Sequence, residues 1–533
     1  MGSFRFRKTI TLTLFIAIFF TISISQANAN PDIKIGLAIR QTSANLSINK
    51  GIYFLEILMS QENALLQELD RLTIQISNRN ESTFSVVVGP FTRLGLFPYE
   101  NEEGALKALI KIRNLGYQGN IIAFTSIPTY VIEIGRFQDI LEAEIFRLQL
   151  ETHFPGAVIL PTLKKGMLIK HPEFEIFYPT FDSAPLSKII NIKPFGSGLL
   201  NYGTRTYRGS FGIFWSPSQE DFQVINKLPM EDYLLGVVPS EMPDSFNIEA
   251  LKAQAIAART YALRNFGRFR KEGYDLCATA NSQVYGGVTA EKPNSTRALK
   301  DTYGMVLHYN GDLARAYYHS TSGGRTENIE NVWGGSPIPY LVAVDSPYET
   351  ASPHFKWVKN LTLSQTTDML NQLLMKRGIP SVGSIRDIQV LKRGRSPRIL
   401  NARIIGDRGK VEVSGNFLKS ALRLKESWAY FEFDGGPGRK VFTINGSNRV
   451  VESRLGDLLD FSAIGNTQNI IIKGRESQVN IPARWQNVTV SGRGWGHGVG
   501  MSQWGAQGLA QNGWNFERIL QNFYPGTVVT KIY

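Results

Sequence analysis

One glutamate of the 533-residue chain has surroundings that suit acid–base chemistry. Glu241 lies in the run Val237-Val238-Pro239-Ser240-Glu241-Met242-Pro243, between two prolines that restrict the backbone on either side. Its apolar neighbours would favour the protonated form of a carboxyl group, which a general acid needs near neutral pH. The simpler alternative is a surface glutamate near a helix N-terminus, where a carboxylate is favourable anyway.

A second segment, from Tyr317 to Glu327, combines hydroxyl groups with two adjacent glycines. A turn at Ser322-Gly323-Gly324 would bring backbone N–H groups and hydroxyls together, which suits hydrogen bonding to sugar hydroxyls or to an oxyanion. Ser322 and His319 could indicate a serine hydrolase, but the Gly-x-Ser-x-Gly motif is absent. A tight structural turn is the alternative.

A third segment has glycine at every second position from 492 to 500. In an extended strand this pattern removes the side chains from one face, so that another chain or a flat ligand could approach the backbone. The opposite face would carry Arg493 and His497, with Gln503 close behind. The pattern does not fit a Gly-x-Gly-x-x-Gly nucleotide motif. Alternatively, the glycines only let two core strands pack closely, and His497 is a hydrogen-bonded core residue.

The segment after Glu241 is predicted to form a helix over residues 246–266. Apolar residues, mostly alanine, recur at helical spacing from Ile248 to Ala262, which favours close packing against a neighbour. Lys252 and Arg259 are seven positions apart, so they share another face of this helix. Their charges could counter a negative charge on a substrate or tune the acidity of Glu241.

The remaining pattern predicts an α+β fold in which helices interrupt a mainly antiparallel set of strands. Short β-rich runs separated by turn residues occupy residues 161–230 and 385–490. Further helical signals concentrate at residues 363–376, 417–425 and 502–523. We therefore expect a larger mixed, mainly antiparallel β module over residues 161–533.

A weak internal duplication covers residues 84–160 and predicts a small sheet backed by two helices. The elements, in chain order, are a strand at 84–91, a helix at 102–114, strands at 121–124 and 130–137, a helix at 140–153 and a strand at 158–160. A β run that ends in Gly-x-Phe before an amphipathic helix resembles the sporulation-related repeat (SPOR) family. That resemblance implies a ββ/αα sandwich that binds peptide-free glycan strands. An unrelated ferredoxin-like module is the alternative.

The start of the chain is typical of an export signal. A basic stretch that contains Arg5, Arg7 and Lys8 precedes an apolar run, and Ala27-Asn28-Ala29 offers a cleavage site after Ala29. The apolar run is short for a membrane span, although an uncleaved anchor is the alternative. We expect a signal peptide at 1–29, a lead-in segment at 30–83, and no stable membrane span after cleavage. The protein would then be exported to the periplasm or cell wall. Apolar residues at roughly helical spacing between Asn45 and Arg71 predict a helix or a partly ordered stretch in that lead-in segment.

The composition narrows the partners of an exported protein. The net charge is +13, spread along the chain without a dense basic run, so anionic wall polymers are more plausible partners than nucleic acid. Cys277 is the single cysteine, so no intrachain disulfide can form. Stability must come from packed cores.

Several motifs, in one order over residues 200–533, resemble the stage II sporulation protein D family, which includes amidase enhancers. They are Glu231-Asp232-Tyr233-Leu234, Pro239-Ser240-Glu241-Met242-Pro243, Glu249-Ala250-Leu251-Lys252-Ala253-Gln254-Ala255, Ala258-Arg259-Thr260-Tyr261-Ala262, Gln283-Val284-Tyr285-Gly286-Gly287, Thr321-Ser322-Gly323-Gly324-Arg325-Thr326, Gly496-His497-Gly498-Val499-Gly500-Met501-Ser502-Gln503 and Ile519-Leu520-Gln521-Asn522-Phe523-Tyr524-Pro525-Gly526-Thr527.

This resemblance implies a lytic transglycosylase that cleaves the β-1,4 bond between N-acetylmuramic acid and N-acetylglucosamine in peptide-poor strands. The family's catalytic glutamate falls on Glu241, and its supporting basic residues on Lys252 and Arg259. The substrate-binding residues that we expect beside them are Tyr285, His319, Ser322, Gly323, Gly324, Arg493, His497 and Gln503. The alternative within the same family is a non-catalytic wall-binding protein that stimulates a cell-wall amidase.

One departure from the family concerns zinc. Some relatives bind zinc near the segment from Leu276 to Gln283, with further cysteine and histidine ligands. This chain keeps Cys277 but has Asn281 and Ser282 where His and Cys occur. Since a zinc site needs about four ligands, we predict no metal and no cofactor here, and we expect Cys277 to be a packed thiol.

Overall fold

The computed structural model describes most of the chain from Asn30 to Tyr533. The gaps in this description are residues 42, 49–50, 59–70, 79–81, 89–90, 100–101, 116–118, 125–128, 138–139, 155–157, 164–165, 172–173, 180–186, 195–197, 217–220, 445–448, 462–468 and 474–477. The predicted signal peptide at 1–29 lies outside the described residues. Among those that are described, no helix is both long and apolar enough to cross a membrane.

The chain divides into two compact units, and each contains two separate stretches of the described sequence. The N-terminal unit consists of Ala29–Glu241 and Asn265–Lys292, and the C-terminal unit contains Met242–Arg264 and Pro293–Tyr533. The predicted boundaries at residues 83 and 160 fall within the N-terminal unit and stay predictions.

Two antiparallel sheets make up much of the N-terminal unit. The first has seven strands in the spatial order Leu276–Cys277, Asp32–Gln41, Asp221–Pro229, Ser210–Ser216, Ser187–Pro194, Gly51–Leu58 and Arg71–Asn78. Only the short first strand runs parallel to its neighbour. The second sheet has six strands in the order Phe174–Pro179, Gly166–His171, Ser82–Val88, Ser43–Ile48, Leu200–Tyr202 and Arg205–Tyr207.

The helix predicted between Asn45 and Arg71 is wrong for the described part of that segment. Gly51–Leu58 is a strand, paired with strands on both sides. The run Ile52-Tyr53-Phe54-Leu55 contains β-branched and aromatic residues, which favour strands. A short apolar run of this kind cannot be assigned to helix or strand from its spacing alone.

The region of the predicted duplication forms a four-stranded antiparallel sheet with two helices. Its spatial order is Gly119–Phe124, Thr129–Phe137, Phe91–Tyr99 and Val158–Leu163, and the helices are Glu102–Asn114 and Ile140–Glu151. The chain order strand–helix–strand–strand–helix–strand is confirmed. The strand predicted at 84–91 is confirmed over residues 84–88, but Ser82–Val88 belongs to the six-stranded sheet. Phe91–Tyr99 takes its place in the four-stranded sheet. The SPOR-like glycan-binding role stays a prediction.

Helices alternate with groups of strands along the chain in both units. In the N-terminal unit a further described α-helix is Met230–Glu241, and short 3-10 turns lie at Arg270–Glu272 and Val288–Ala290. The helices of the C-terminal unit are Ile248–Arg264, Pro293–Asp301, Ile329–Trp333, Leu363–Lys376, Gly415–Ala421, Leu455–Leu458, Gln503–Gln511 and Phe516–Phe523.

Small sheets and hairpins provide the strands of the C-terminal unit. The grouped strands are Asp312–Leu313, Met305–Tyr309 and Val528–Lys531; Tyr318–His319 and Met501–Ser502; Trp357–Thr362, Asn487–Gly492 and Ala429–Phe433; Ile385–Arg393, Ile399–Gly406 and Lys410–Ser414; Lys440–Ile444 and Val450–Arg454; and Asn469–Lys473 and Gln478–Pro482. All pair antiparallel except Tyr318–His319 with Met501–Ser502. The predicted α+β class with mainly antiparallel strands is confirmed.

In two helices of the C-terminal unit, the sequence explains where the helix begins or how it packs. Leu363–Lys376 matches its predicted range and begins at Thr362, whose hydroxyl accepts from Gln365 N while the Gln365 side chain accepts from Thr362 N. In the helix Ile248–Arg264, residues on nearly every face are buried, because its alanines allow other helices to approach on several sides. The stripe predicted for it is therefore only part of its contact surface.

Gly492, the last residue of the strand Asn487–Gly492, allows one close approach in this unit. It pairs with Trp357, whose indole overlaps the position that a Cβ at residue 492 would occupy. Trp357 donates its indole N–H to Gly494 O at 2.9 Å, so the ring cannot move aside without losing this bond.

We expect Gly492→Ala to lower the free energy of unfolding by about 1–3 kcal/mol, because the added methyl group overpacks a buried contact. Ser491→Ala is the matched control, since residue 491 lies on the opposite face of the same strand. Chemical denaturation of both variants measures the difference. Equal stability of the two variants would contradict the close approach.

Candidate functional site

Glu241 is the last residue of the helix Met230–Glu241, and its side chain is half-buried. Its Oε1 atom accepts a hydrogen bond from Val284 N at 2.7 Å. Charge-assisted hydrogen bonds of this kind are short and strong. The bond therefore fixes the direction of the carboxyl group, which the two flanking prolines alone could not do.

The Val284 amide reaches Glu241 because residues 283–287 pass close to the same helix. Tyr233 donates its hydroxyl to Gln283 Oε1 at 3.2 Å, and Gly286 N donates to Gly236 O at 3.1 Å. A Cβ atom at residue 236 would lie 2.7 Å from the Tyr285 ring and 2.9 Å from Gly287 N. Only glycine at position 236 leaves room for this approach.

Tyr285 was expected to bind substrate, but its side chain is only 1% exposed. Its hydroxyl donates to Asn226 Oδ1 at 3.1 Å, and its ring lies 5.0 Å from the ring of Tyr233. Burial raises the pKa of Tyr285 well above its ordinary value. The structure gives the side chain a packing role, and a direct role in substrate binding stays a prediction.

Lys252 and Arg259 lie on the helix Ile248–Arg264 in the C-terminal unit, and each has partners there. Lys252 Nζ lies 3.1 Å from Glu249 Oε1 and 3.3 Å from Asp301 Oδ2. Desolvation lowers the pKa of Lys252, but the hydrogen bonds to Glu249 and Asp301 outweigh it and raise the pKa overall. Arg259 is fully buried and donates to Met305 O at 3.0 Å. Their supporting roles stay predictions.

The turn at Ser322-Gly323-Gly324 gathers donors as predicted, but a carboxylate of the protein itself already binds them. Glu349, which is fully buried, accepts from Gly323 N and from the Ser322 hydroxyl at 2.7 Å. It also accepts from Ser322 N and Gly324 N at 3.2 Å, and from the Ser346 hydroxyl at 2.6 Å. These backbone donors therefore stabilise the fold, and their binding of a ligand stays a prediction.

Ser322 and His319 do not form a hydrolase pair. The Ser322 hydroxyl donates to Glu349 and is fully buried, while His319 Nδ1 donates to Val499 O at 3.2 Å. Burial, assisted by the neighbouring His497 and Arg398, lowers the pKa of His319 well below its ordinary value. The geometry thus opposes the serine-hydrolase interpretation.

The extended strand predicted for residues 492–500 is wrong beyond Gly492. Gly494, Gly496, Gly498 and Gly500 all have positive φ angles, between +70° and +123°, a region that side chains disfavour. A Cβ atom at residue 498 would lie 2.5 Å from the Arg398 guanidinium. The alternative interpretation, in which the glycines permit close packing, describes this segment better.

His497 lies beside aromatic rings at the surface of the C-terminal unit. Its ring is 5.4 Å from that of His319 and 4.9 Å from that of Trp333, which is 49% exposed. Its Nδ1 accepts from Val499 N at 3.1 Å. Burial and the charge of Lys419 lower the pKa of His497 to about 3, so the ring is neutral at ordinary pH.

Arg493 and Gln503 lie at the two ends of the glycine-rich segment. The Arg493 guanidinium lies 5.5 Å from the ring centroid of Phe355 and 5.7 Å from that of Trp428. Gln503 is buried and begins the helix Gln503–Gln511.

The predicted site residues divide between the two units. Glu241 and Tyr285 belong to the N-terminal unit, and all the others belong to the C-terminal unit.

Cys277 is buried in the N-terminal unit against Ile225 and Tyr274. Its sulfur lies 3.3 Å from the hydroxyl oxygens of Ser282 and Thr279. Desolvation raises the pKa of the thiol, but these hydrogen bonds outweigh it and lower the pKa overall. Within the described ranges, no three His, Cys, Asp or Glu side chains are grouped so that they could hold a metal ion.

Comparisons with known proteins agree with the family resemblance seen in the sequence. A family model described as stage II sporulation protein (SpoIID) matches residues 218–309. Stage II sporulation protein D of Bacillus subtilis (strain 168) is 31% identical over 326 residues, which cover 58% of this chain and 76% of that protein. The chain belongs to the stage II sporulation protein D family.

Two further relatives are similar to this chain over comparable lengths. The amidase enhancer of Bacillus subtilis (strain 168) is 31% identical over 362 residues, or 64% of this chain, and the chain spans about half of its length, 48%. Stage II sporulation protein D of Bacillus amyloliquefaciens is 28% identical over 322 residues, 58% of this chain and 76% of that protein. A domain of unknown function matches residues 344–447.

The SpoIID match places Glu241, Gly236 and Val284 in one family segment. The sequence did not point to Val284 as a partner, because a backbone N–H leaves no side-chain signal. It also did not point to Glu349 or Trp333, since neither lies in a stretch of sequence with a recognisable spacing pattern.

We expect Gly236→Ala to reduce the free energy of unfolding by up to about 2 kcal/mol. Alanine favours an isolated helix by about 1 kcal/mol, but overpacking against residues 285–287 costs about 1–3 kcal/mol. Hydrogen exchange at the Val284 amide should also become faster, because the segment that carries it is pushed away. A more stable variant with unchanged exchange would contradict the close approach.

We expect Glu349→Gln to lower the free energy of unfolding by about 2–4 kcal/mol, because a charged acceptor is lost and an amide N–H₂ faces buried donors. Glu330→Gln is the control, since half-buried Glu330 accepts from the Asn328 side chain at 2.8 Å. Thermal and chemical denaturation compare the two. Similar losses would show that the Glu349 carboxylate has no special role.

Proposed function

We propose that this protein is an exported lytic transglycosylase that cleaves the β-1,4 bond between N-acetylmuramic acid and N-acetylglucosamine in peptide-poor peptidoglycan strands. The observation that carries the proposal is the Glu241 carboxyl group, held by Val284 N at 2.7 Å within the SpoIID-matched segment. A general acid must be kept in one direction relative to the bond that it cleaves.

Glu241 would act twice in one turnover. As an acid it protonates the glycosidic oxygen while the bond to C1 of the muramic acid breaks. As a carboxylate it then takes the proton from the 6-hydroxyl of the same sugar, whose oxygen forms a new bond to C1. The products are a 1,6-anhydro-muramyl end and a free 4-hydroxyl. No water is consumed, and Glu241 returns to its protonated form.

The positions of the nearby carboxylates support a single-carboxylate mechanism. Glu231 and Asp232 lie in the first turn of the helix that Glu241 ends, so about 15 Å of helix separates the two ends. Two-carboxylate glycosidases hold their pair roughly 5–10 Å apart. Asp244 is occupied elsewhere, since it accepts from Ser295 N and the Ser295 hydroxyl at 2.7 Å.

The N-terminal region suits this activity. An export signal would bring the chain to the periplasm or cell wall, and the SPOR-like segment at 84–160 would bind peptide-free strands. The basic net charge of +13 favours a polyanionic wall. In this proposal peptidoglycan is the partner, and neither a metal nor another cofactor takes part.

We expect Glu241→Gln to abolish the release of 1,6-anhydro-muramyl sugars from purified peptide-free glycan, a loss of at least about 100-fold, since an amide cannot transfer the proton. Mass spectrometry of the digests measures the products. Glu231→Gln, in the first turn of the same helix, is the matched control and should keep near-full activity. Wild-type protein that releases no anhydro sugars would contradict the proposal.

The second candidate is a wall-binding protein that stimulates an N-acetylmuramoyl-L-alanine amidase without cleaving glycan. The similarity to a protein named amidase enhancer favours it. In this case the oriented Glu241 carboxylate would accept hydrogen bonds from sugar hydroxyls rather than transfer protons.

A cognate amidase, assayed on intact wall with and without this protein, separates the two candidates. If the protein is only an enhancer, we expect Glu241→Gln to stimulate peptide release as strongly as the wild type, and no anhydro sugars to form. If glycan cleavage is its function, any stimulation should disappear with Glu241→Gln, because it depends on prior cleavage.

A further inference from the structure

A pocket of about 290 Å³ lies within the C-terminal unit, between the helix Ile329–Trp333 and the start of the helix Gly415–Ala421. Its volume is near the lower end for ligand pockets, which range from about 300 to 1,000 Å³. It therefore has room for a small ring rather than for a folded segment of chain. Part of its lining belongs to the stretch matched by a domain of unknown function.

Trp333 gives this pocket an aromatic wall. Its side chain is 49% exposed although its ring packs 4.9 Å from the rings of both Tyr317 and His497. The neighbouring rings restrict the indole while part of it still faces solvent. An exposed, well-supported indole suits contact with the apolar face of a small ring.

Two amide side chains supply directed acceptors. Asn331 Nδ2 donates to Glu327 Oε1 at 2.9 Å, and Asn416 Nδ2 donates to Val332 O at 2.6 Å. These bonds fix both amides, and in the described part of the chain neither Oδ1 atom has a protein hydrogen bond. Both residues line the pocket, so the two oxygens can accept from hydroxyl or amide N–H groups of a ligand.

The charged groups of the pocket are already paired inside the protein. Glu327 is fully buried and accepts from Ser396 N at 3.1 Å and from the Ser396 hydroxyl at 2.5 Å. Arg398, 1% exposed, donates to Ser322 O at 2.8 Å and lies 3.6 Å from Glu426. Because one carboxylate and one guanidinium line the wall, the pocket favours a neutral ligand over an anion.

Arg398 also retains one donor. Among the residues that the structure describes, its Nε atom is buried and has no hydrogen-bond partner. An unpaired buried donor costs free energy unless a ligand or water satisfies it. This buried atom lies against Gly498, which does not line the pocket, so it offers nothing to a ligand there. The pocket thus combines an aromatic face and two acceptors, a set that a hydroxyl-rich ring can use.

We propose that this pocket binds one pyranose ring of a neutral glycan strand, with the ring face on Trp333 and its hydroxyl or acetamido groups on the Oδ1 atoms of Asn331 and Asn416. The identification of that strand as peptidoglycan rests on the proposed function. The pocket would add affinity for a strand and is not required to take part in bond cleavage.

Binding of chitohexaose, a peptide-free N-acetylglucosamine oligomer, tests this site in the full chain carrying Glu241→Gln, which removes turnover. We expect Trp333→Ala to raise the Kd about fivefold to tenfold, in the upper part of the range for loss of an aromatic contact, and Trp333→Phe to recover part of the loss. Trp495→Ala is the matched control, because Trp495 is 48% exposed but does not line the pocket. Cellohexaose shows whether the acetamido group contributes.

A second measurement covers the case in which Trp333→Ala fails to fold. With 5-fluorotryptophan incorporated, the fluorine resonance that Trp333→Phe removes should shift when chitohexaose is added. A Kd within twofold of the parent for folded Trp333→Ala, an equal loss for Trp495→Ala, or a Trp333 resonance that does not shift would each overturn the site. None of these outcomes depends on whether the wild type releases anhydro sugars.

Discussion

The approach of residues 283–287 to the helix Met230–Glu241 is the constraint on which the candidate active site depends. It is possible because Gly236 has no side chain where Tyr285 and Gly287 pass. Burial of the Tyr285 ring and the bonds from Tyr233 and Gly286 hold the two segments together. The Val284 amide then meets Glu241 at the end of the helix. The direction of the Glu241 carboxyl group is thus set by packing several residues away from it.

Buried charges play the corresponding part in the C-terminal unit. Glu349 binds the donors of the turn at Ser322–Gly324, and Arg398 donates to the carbonyls of Arg325 and Ser322. Buried charges are costly unless they are paired and hydrogen-bonded, and here each has several partners. The glycine-rich segment can pack against Arg398 because residue 498 is glycine. This arrangement supports the surface on which His497 and Trp333 lie.

The sequence predicted the features that depend on local patterns and missed those that depend on distant contacts. The helix Leu363–Lys376 follows from its apolar spacing and its cap at Thr362. The strand Gly51–Leu58 was mistaken for part of a helix, because short apolar runs carry no decisive period. The glycines after Gly492 correctly indicated close packing, but the extended backbone expected for them was wrong, because their φ angles are positive. Glu241 could be found from its motif, whereas Val284 could not, since its contribution is a backbone N–H.

In the proposed reaction Glu241 cleaves glycan with the sugar's own hydroxyl in place of water. Digestion of peptide-free glycan in oxygen-18-labelled water, followed by mass spectrometry of the new muramyl ends, distinguishes this reaction from hydrolysis. We expect new ends that lack the mass of one water and carry no label. Labelled reducing muramyl ends in excess of those in an undigested sample kept in the same water would show hydrolysis and contradict the single-carboxylate mechanism.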